Sequence, residues 1–345
     1  LADVSHNRRA GPSDVLVSNG PPSAQTRSGA CAFRVNGERG IACPPNGADT
    51  TVTERMFAAR SLRARPQPKE PVVSAPVIDH KATGYSVPHA YWMAQAAALA
   101  YKDESSIERQ AYDWAFDRVR HHHTRFTPPF PLQDTQAYTM ACDDMIVTAF
   151  RGTEPAQIRD WLSDVTTPPW PGPAGRGFVH YGFGEALQSA FPEVRDTLAE
   201  FRDSGQTVWF TGHSLGGALA MLAGARMFME EPRLQADGIY TYGQPRTCDR
   251  MLAEEHNKAF DQRMYRFVNN NDVVAQLPPE PVYRHVDALR YLDSEGKLRD
   301  SMPVVGRLLD RAKGATADPL APMSDGVRDH SIKKYIAALE KNLPK

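Results

Sequence analysis

The sequence predicts an α/β fold, a mostly parallel central sheet with helices on both faces. Three observations carry this. From Tyr85 onward, short β-branched and aromatic runs alternate with longer amphipathic stretches, the pattern of strands laid side by side by helical crossovers. The apolar run at 207–211 passes through Gly212-His213-Ser214-Leu215-Gly216 into the small, helix-forming stretch 217–223, so a strand turns sharply into a helix with a serine at the apex. The 345 residues are 41% hydrophobic and 23% charged, an ordinary globular composition with enough chain for a large core.

Taken in order, residues 1–80 differ from the rest. They are rich in Pro, Ser, Arg and Gly and read as an irregular extension, with the folded domain at 81–345. Cys31 and Cys43 flank Asn36-Gly37, a hairpin-turn pair, which suggests a disulfide and an oxidising compartment; the alternative is two unpaired thiols. A helix is expected at 88–102, opened by Pro88, and a second at 104–120. His121-His122-His123 then reads as a solvated loop, because three adjacent histidines cannot all face one ion from a helix. Strands are expected at 135–141 and 145–150, joined at Asp143-Asp144. A Pro/Gly-rich loop follows at 166–177, then a long helix at 181–204, the strand before the serine, and a strand at 238–242. A helix at 251–260, a strand at 264–268, one or two short strands within 283–292, and helices at 304–313 and 331–342 complete the chain.

Forty Lys and Arg balance 41 Asp and Glu, leaving a net charge of -1, which argues against a dedicated nucleic-acid binder. The longest helical apolar run, 94–100, is too short to span a bilayer, so no transmembrane segment is expected. Residues 1–30 show no apolar signal-peptide region, although the chain opens on Leu1 and this carries little weight; a secreted or cell-envelope location is the expectation. No cysteine spacing suggests zinc.

A serine hydroxyl needs a base to take its proton, and the base needs an orienting acid. Where a serine sits on such a strand-to-helix turn, both follow it in the chain. The acids after Ser214 include Asp237, Asp249, Asp261, Asp272 and Asp287. Asp272 stands out, just past the strand at 264–268, where α/β sites are assembled, although an isolated Asp there also suits a turn cap. The histidines are His256, His285 and His330. His256 lies among helix charges and is expected to face solvent. His285 sits in a strand pattern. His330 opens the last helix from a loop, which suits a mobile base. Donors for an oxyanion are expected at the Leu215 N–H and at Thr153, where Phe150-Arg151-Gly152-Thr153 ends an early strand.

These segments, in this order, resemble the class 3 lipases, the fungal-type members of the α/β-hydrolase superfamily. The match runs through Phe150-Arg151-Gly152-Thr153, Asp160-Trp161-Leu162-Ser163-Asp164, Val179-His180-Tyr181-Gly182-Phe183 and Thr211-Gly212-His213-Ser214-Leu215-Gly216-Gly217-Ala218. It continues in Tyr242-Gly243-Gln244-Pro245-Arg246, Asn271-Asp272-Val273-Val274, Leu277-Pro278-Pro279 and Asp329-His330. The resemblance covers roughly 85–345 and implies Ser214 as nucleophile, Asp272 as acid, His330 as base, and Thr153 and Leu215 as the oxyanion hole. Ala275 stands where the family usually has Pro, and Thr247-Cys248 where it often has Val-Gly.

After the Thr153 turn, Ile158, Trp161, Leu162 and Val165 fall on one apolar helical stripe. Such a stripe usually packs on a core; its place beside the oxyanion loop, with the resemblance, implies a helical lid that opens at a lipid surface. The expected activity is hydrolysis of lipid carboxylic esters, triacylglycerols first, at an oil–water or membrane interface and without metal or organic cofactor. A phospholipase A1 or a carboxyl- or feruloyl-type esterase is the alternative within the same chemistry. A toxin-like phospholipase delivered by residues 1–80 and a non-catalytic lipid-binding module are the remaining readings.

Overall fold

The computed structural model describes residues 77–125, 134–153, 168–300, 326 and 328–344, all within the unit Lys69–Lys345. The extension with Cys31 and Cys43, the stripe from Ile158 to Val165 and the helix expected at 304–313 lie outside the described residues.

Helix α1, Val87–Leu99, is capped by the Ser86 side chain, which accepts from the His89 N–H, and has Pro88 in its first turn. Helix α2, Glu104–Asp113, is capped in the same way by Asp103. It stops well short of the expected 120. Ala115 takes a left-handed φ of +62°, the Phe116 N–H bonds back to the Ala111 carbonyl, and the Phe116 ring is buried. The chain then enters strand β1, Arg118–Arg125, so the three histidines form part of an edge strand and not a solvated loop. Strand β1 pairs antiparallel with β2, Asp134–Ala141, along its whole length, and β2 pairs antiparallel with β3, Met145–Phe150. Long-range pairing here overrides a local pattern that reads as helix.

The short strands β4, Trp170–Pro171, and β5, Phe178–Val179, pair with each other inside the expected loop. Helix α3, Tyr181–Phe201, ends three residues early, and Gly205 at φ +80° turns the chain into β6, Thr207–His213. Then come helix α4, Leu215–Glu230; strand β7, Gly238–Tyr242; helix α5, Arg250–Ala259; and strand β8, Met264–Asn269. Residues 283–286 lie outside any strand, joined to the fold by an isolated bridge between Cys248 and Arg284; the strand of that region is β9, Leu289–Leu292. Strand β10, Leu298–Arg299, and helix α6, Ile332–Glu340, end the described chain.

The eight-stranded sheet runs β1-β2-β3-β6-β7-β8-β9-β10. Its centre, from β3 to β9, is parallel; β1, β2 and β10 are antiparallel. Strand β6 is buried on both faces. Val208 and Phe210 join the cluster under α3 and α4, while Trp209 joins the cluster under α1 and α6. A continuous apolar run is what a strand covered on both faces needs. Polar side chains of the sheet also bind α1, with Thr211 Oγ1, Tyr138 Oη and Tyr242 Oη donating to the Met93, Ala96 and Ala90 carbonyls. The C-terminal ends of β3, β6, β7 and β8 therefore open on a rigid platform.

Candidate active site

At the end of β6, Ser214 sits at φ +62° and ψ −127°, a conformation that costs a non-glycine residue about 1–3 kcal/mol. Two neighbours must lack side chains for the turn to close. A Cβ on Gly212 would collide with the Gly216 carbonyl, and one on Gly216 with the Phe150 carbonyl. The Ser214 N–H donates to the Tyr242 carbonyl at 2.9 Å, tying the turn to β7. Ser214 is fully buried.

Three side chains from distant parts of the chain converge there. His330 Nε2 lies 2.7 Å from Ser214 Oγ. On its other side, His330 Nδ1 lies 2.9 Å from each carboxylate oxygen of Asp272. With Nδ1 carrying the proton toward the carboxylate, Nε2 presents its lone pair to the serine hydroxyl. Asp272, in the turn after β8, accepts from the Val274 N–H at 2.9 Å and from the Tyr335 hydroxyl at 2.5 Å. Burial pushes its pKa up, but the charge of His330 and the hydrogen bonds from His330 and Tyr335 outweigh burial and hold the carboxyl below its ordinary range.

The supporting shell was not read from the sequence. Tyr335 on α6 donates to Asp272 and accepts the Asn269 N–H at 3.0 Å, clasping the acid to the end of β8. Asn269 and Asn270 hold Asp329 through its carbonyl and carboxylate, both at 2.9 Å, which anchors the turn before His330. His213 Nε2 donates to the His330 carbonyl at 2.6 Å, and its Nδ1 accepts from the Tyr101 hydroxyl at 2.8 Å. Burial, with the nearby His330, lowers the His213 pKa to about 3, so the ring is neutral and can make both bonds. Only His213 had a local signal, its place beside the serine; nothing near Tyr335 or Tyr101 in the sequence marks them.

The other candidates go elsewhere. Asp237 accepts the Val208 N–H, Asp249 caps α5, and Asp287 pairs with Asn257. His256, expected to face solvent, is buried against Phe260, because the α5 face that carries it with Leu252 and Ala253 turns to the core. His285 bonds the Ala275 carbonyl from outside any strand.

Gly152 packs against the serine, its Cβ position lying 3.1 Å from the Ser214 Cβ. Next to it, the Thr153 hydroxyl is buried with no hydrogen-bond partner among the described residues. Leu215 begins α4, where the first N–H groups have no intrahelical acceptor and the helix dipole favours negative charge. Ile158, Trp161, Leu162 and Val165 lie outside the described residues. Among the described residues, no group of three His, Cys, Asp or Glu could hold a metal ion.

Residues 147–282, from β3 through the serine turn to the loop past Asp272, match the family described as lipase (class 3). A lipase of Rhizomucor miehei is 34% identical over 157 residues, 43% of this chain and 42% of that protein. A triacylglycerol lipase of Arabidopsis thaliana is 30% identical over 198 residues, 44% of this chain and 38% of that protein. A secreted mono- and diacylglycerol lipase of Fusarium solani is 31% identical over 153 residues, 43% of this chain and 44% of that protein. The matches thus span about two fifths of the length of these relatives. The solved structure of Rhizomucor miehei triacylglyceride lipase superposes with a TM-score of 0.50 at 24% identity, covering 70% of this chain and 90% of that one, which bears on the fold. The strained serine turn, the parallel sheet that carries it and the matched segment agree: the chain has an α/β-hydrolase fold, and its residues 147–282 are similar to the class 3 lipase family.

Proposed function

We propose that this protein is a serine esterase that hydrolyses carboxylic esters of lipids, with triacylglycerols as its foremost substrates. The observation that carries the reading is the hydrogen-bonded relay from Ser214 through His330 to Asp272. His330 Nε2 takes the hydroxyl proton as Ser214 Oγ attacks the ester carbonyl, and Asp272 stabilises the imidazolium so formed. The negative charge on the carbonyl oxygen is met by the Leu215 N–H at the helix N-terminus and by Thr153, whose hydroxyl has no partner among the described residues and is free to donate to that oxyanion. The tetrahedral intermediate collapses, the alcohol leaves with the proton from His330, and the acyl group stays on Ser214. Water then attacks the acyl-enzyme while His330 takes its proton, and the carboxylic acid is released with Ser214 restored. No step calls for a metal or an organic cofactor.

Triacylglycerol preference rests on the likeness to relatives that carry that name, and action outside the cytosol on the likeness to the secreted Fusarium protein. Ser214 is completely buried, which supports a resting state opened by contact with a lipid surface. In the sequence, the apolar stripe Ile158, Trp161, Leu162 and Val165 is the segment suited to that role.

Ser214→Ala should retain its thermal unfolding profile, lose covalent labelling by a fluorophosphonate, and lose at least about a thousandfold in p-nitrophenyl ester hydrolysis. Persistent turnover by that variant would remove the nucleophile assignment. Fatty acid release from triolein emulsions should exceed release from phosphatidylcholine; the reverse order would make the enzyme a phospholipase. Activity on tributyrin should rise sharply past its solubility limit, and a smooth curve there would count against surface-triggered opening.

A further inference from the structure

A cavity of about 420 Å3 lies between β8, β9 and the 274–287 loop, with Asp272 and Ala275 in its wall. Its lining includes Arg266, Arg246, Arg284 and His285. Arg266 is only 7% exposed, yet among the described residues its guanidinium donates only from Nε, to the Val286 carbonyl at 3.1 Å. No carboxylate among the described residues lies within 4.0 Å of it. The charge of Asp287 reaches the guanidinium without a paired contact, and a buried guanidinium with no paired acid favours an anion.

The acids around the cavity are otherwise engaged or exposed. Asp272 is held by His330 and Tyr335, Asp287 accepts from Asn257 at 2.8 Å, Glu280 faces Arg246 at 3.7 Å, and Asp300 is exposed on the rim. Arg246 is also engaged with the Gln276 and Pro278 carbonyls. Arg284 is half-buried; its charge reaches Glu254, but no ion pair within 4.0 Å engages it among the described residues. His285 donates from Nε2 to the Ala275 carbonyl at 2.6 Å, which leaves Nδ1 as a buried lone pair with no partner among the described residues. Burial and the charges of Arg266 and Arg246 hold that ring neutral, well below the ordinary histidine range.

Two cationic donors and one lone-pair acceptor in the same cavity describe a ligand with both anionic oxygens and a proton to give. We propose that the cavity binds a protonated phosphate group, with Arg266 and Arg284 on its anionic oxygens and His285 Nδ1 accepting its P–O–H. A carboxylate or a sulfate satisfies the arginines but offers no proton to His285. The cavity shares Asp272 with the relay, but phosphate binding there is read from the arginines and His285 and not from ester hydrolysis.

Titration calorimetry of the full chain at pH 7 and fixed ionic strength tests this with inorganic phosphate. Saturable one-to-one binding is expected, with sulfate weaker by about tenfold or more. Arg266→Met should abolish binding and Arg284→Ala should weaken it by about tenfold. If Arg266→Met fails to fold, Arg284→Ala and the phosphate–sulfate comparison decide. Tighter binding of sn-glycerol 3-phosphate than of inorganic phosphate assigns the site to a phosphate monoester, the headgroup form that can still carry a P–O–H; the reverse assigns it to the free ion. Absence of saturable phosphate binding, equal affinity for sulfate, or binding unchanged by both substitutions overturns the proposal.

Discussion

At Ser214 the backbone adopts a conformation that a serine does not favour, and the neighbouring residues are chosen around it. Gly212 and Gly216 clear the space for the turn, and the hydrogen bond from the Ser214 N–H to β7 holds it. The acid is treated the same way. Asp272 is buried, yet it stays below its ordinary pKa because His330 and Tyr335 both favour its charged form. Tyr335→Phe removes one of these partners. The Asp272 pKa then moves up and its carboxylate loses an anchor, so kcat should fall roughly tenfold with little change in KM, and the acid limb of the activity profile should move to higher pH. A change in KM with kcat intact would argue against a positioning role. His256 gives an opposite case. Both of its ring nitrogens are buried without partners among the described residues, and burial lowers its pKa to about 3. His256→Leu replaces unsatisfied polar atoms by apolar ones of similar size, and should raise stability at pH 7 by about 1–2 kcal/mol in urea unfolding.

Element by element, strand β1 is where local reading and fold diverge most. Its sequence, RVRHHHTR, has neither the apolar alternation of a half-buried strand nor a strong turn signal. The pairing with β2 makes it a strand, and alternation then separates its histidines. His122 turns inward and bonds Thr139 Oγ1 at 3.0 Å, while His121 and His123 face Glu108 and Glu104 on α2 at 3.4 and 2.8 Å. Charged and polar residues on an edge strand also discourage pairing with another chain. Helix α5 shows the opposite, a structure legible from its own residues. Asp249 accepts the Leu252 N–H at 3.0 Å, and the apolar face follows from the spacing. Asp249→Ala should cost about 1 kcal/mol, seen as a lower midpoint in thermal unfolding; an unchanged midpoint would mean that packing alone holds the helix start.

Across the whole molecule, buried histidines set the response to acid. His89 and His122 are lowered by burial to about 4, and His213 and His256 to about 3. In the unfolded chain each titrates near its ordinary 6.5, so below that pH the unfolded state binds more protons and is favoured. Stability is therefore full above about 6.5 and falls as the pH drops toward 3–4, by up to about 1.4 kcal/mol per pH unit for each such histidine. Asp272 adds to the loss at the acid end, since its folded pKa is also lowered. The melting temperature should fall steeply between pH 6.5 and 4.5 and stay nearly flat from 7 to 8. A flat profile through 5 would mean that these rings are solvated.

What the sequence determined by itself follows from short-range physics. Most of the strand and helix order and the glycine-bracketed serine turn could be read from residue types and spacing, while the resemblance singles out Asp272 and His330 from the other acids and histidines. Hydrophobic period and steric allowance act over a few residues, and the motif order carries the rest. That reading placed the parallel core of the sheet and named the three side chains that meet within hydrogen-bond distance. Interactions across long separations arise only in the folded chain. Tyr101 reaches His213 from 112 residues away, and Tyr335 reaches Asp272 from 63. Strand β1 exists because β2 is there to pair with it, and His256 is buried because of the face its helix presents. The Arg266 cavity likewise forms where β8 meets the 274–287 loop. Contacts of this kind leave no local period or motif, because their energy arises only once the backbone has brought distant residues together.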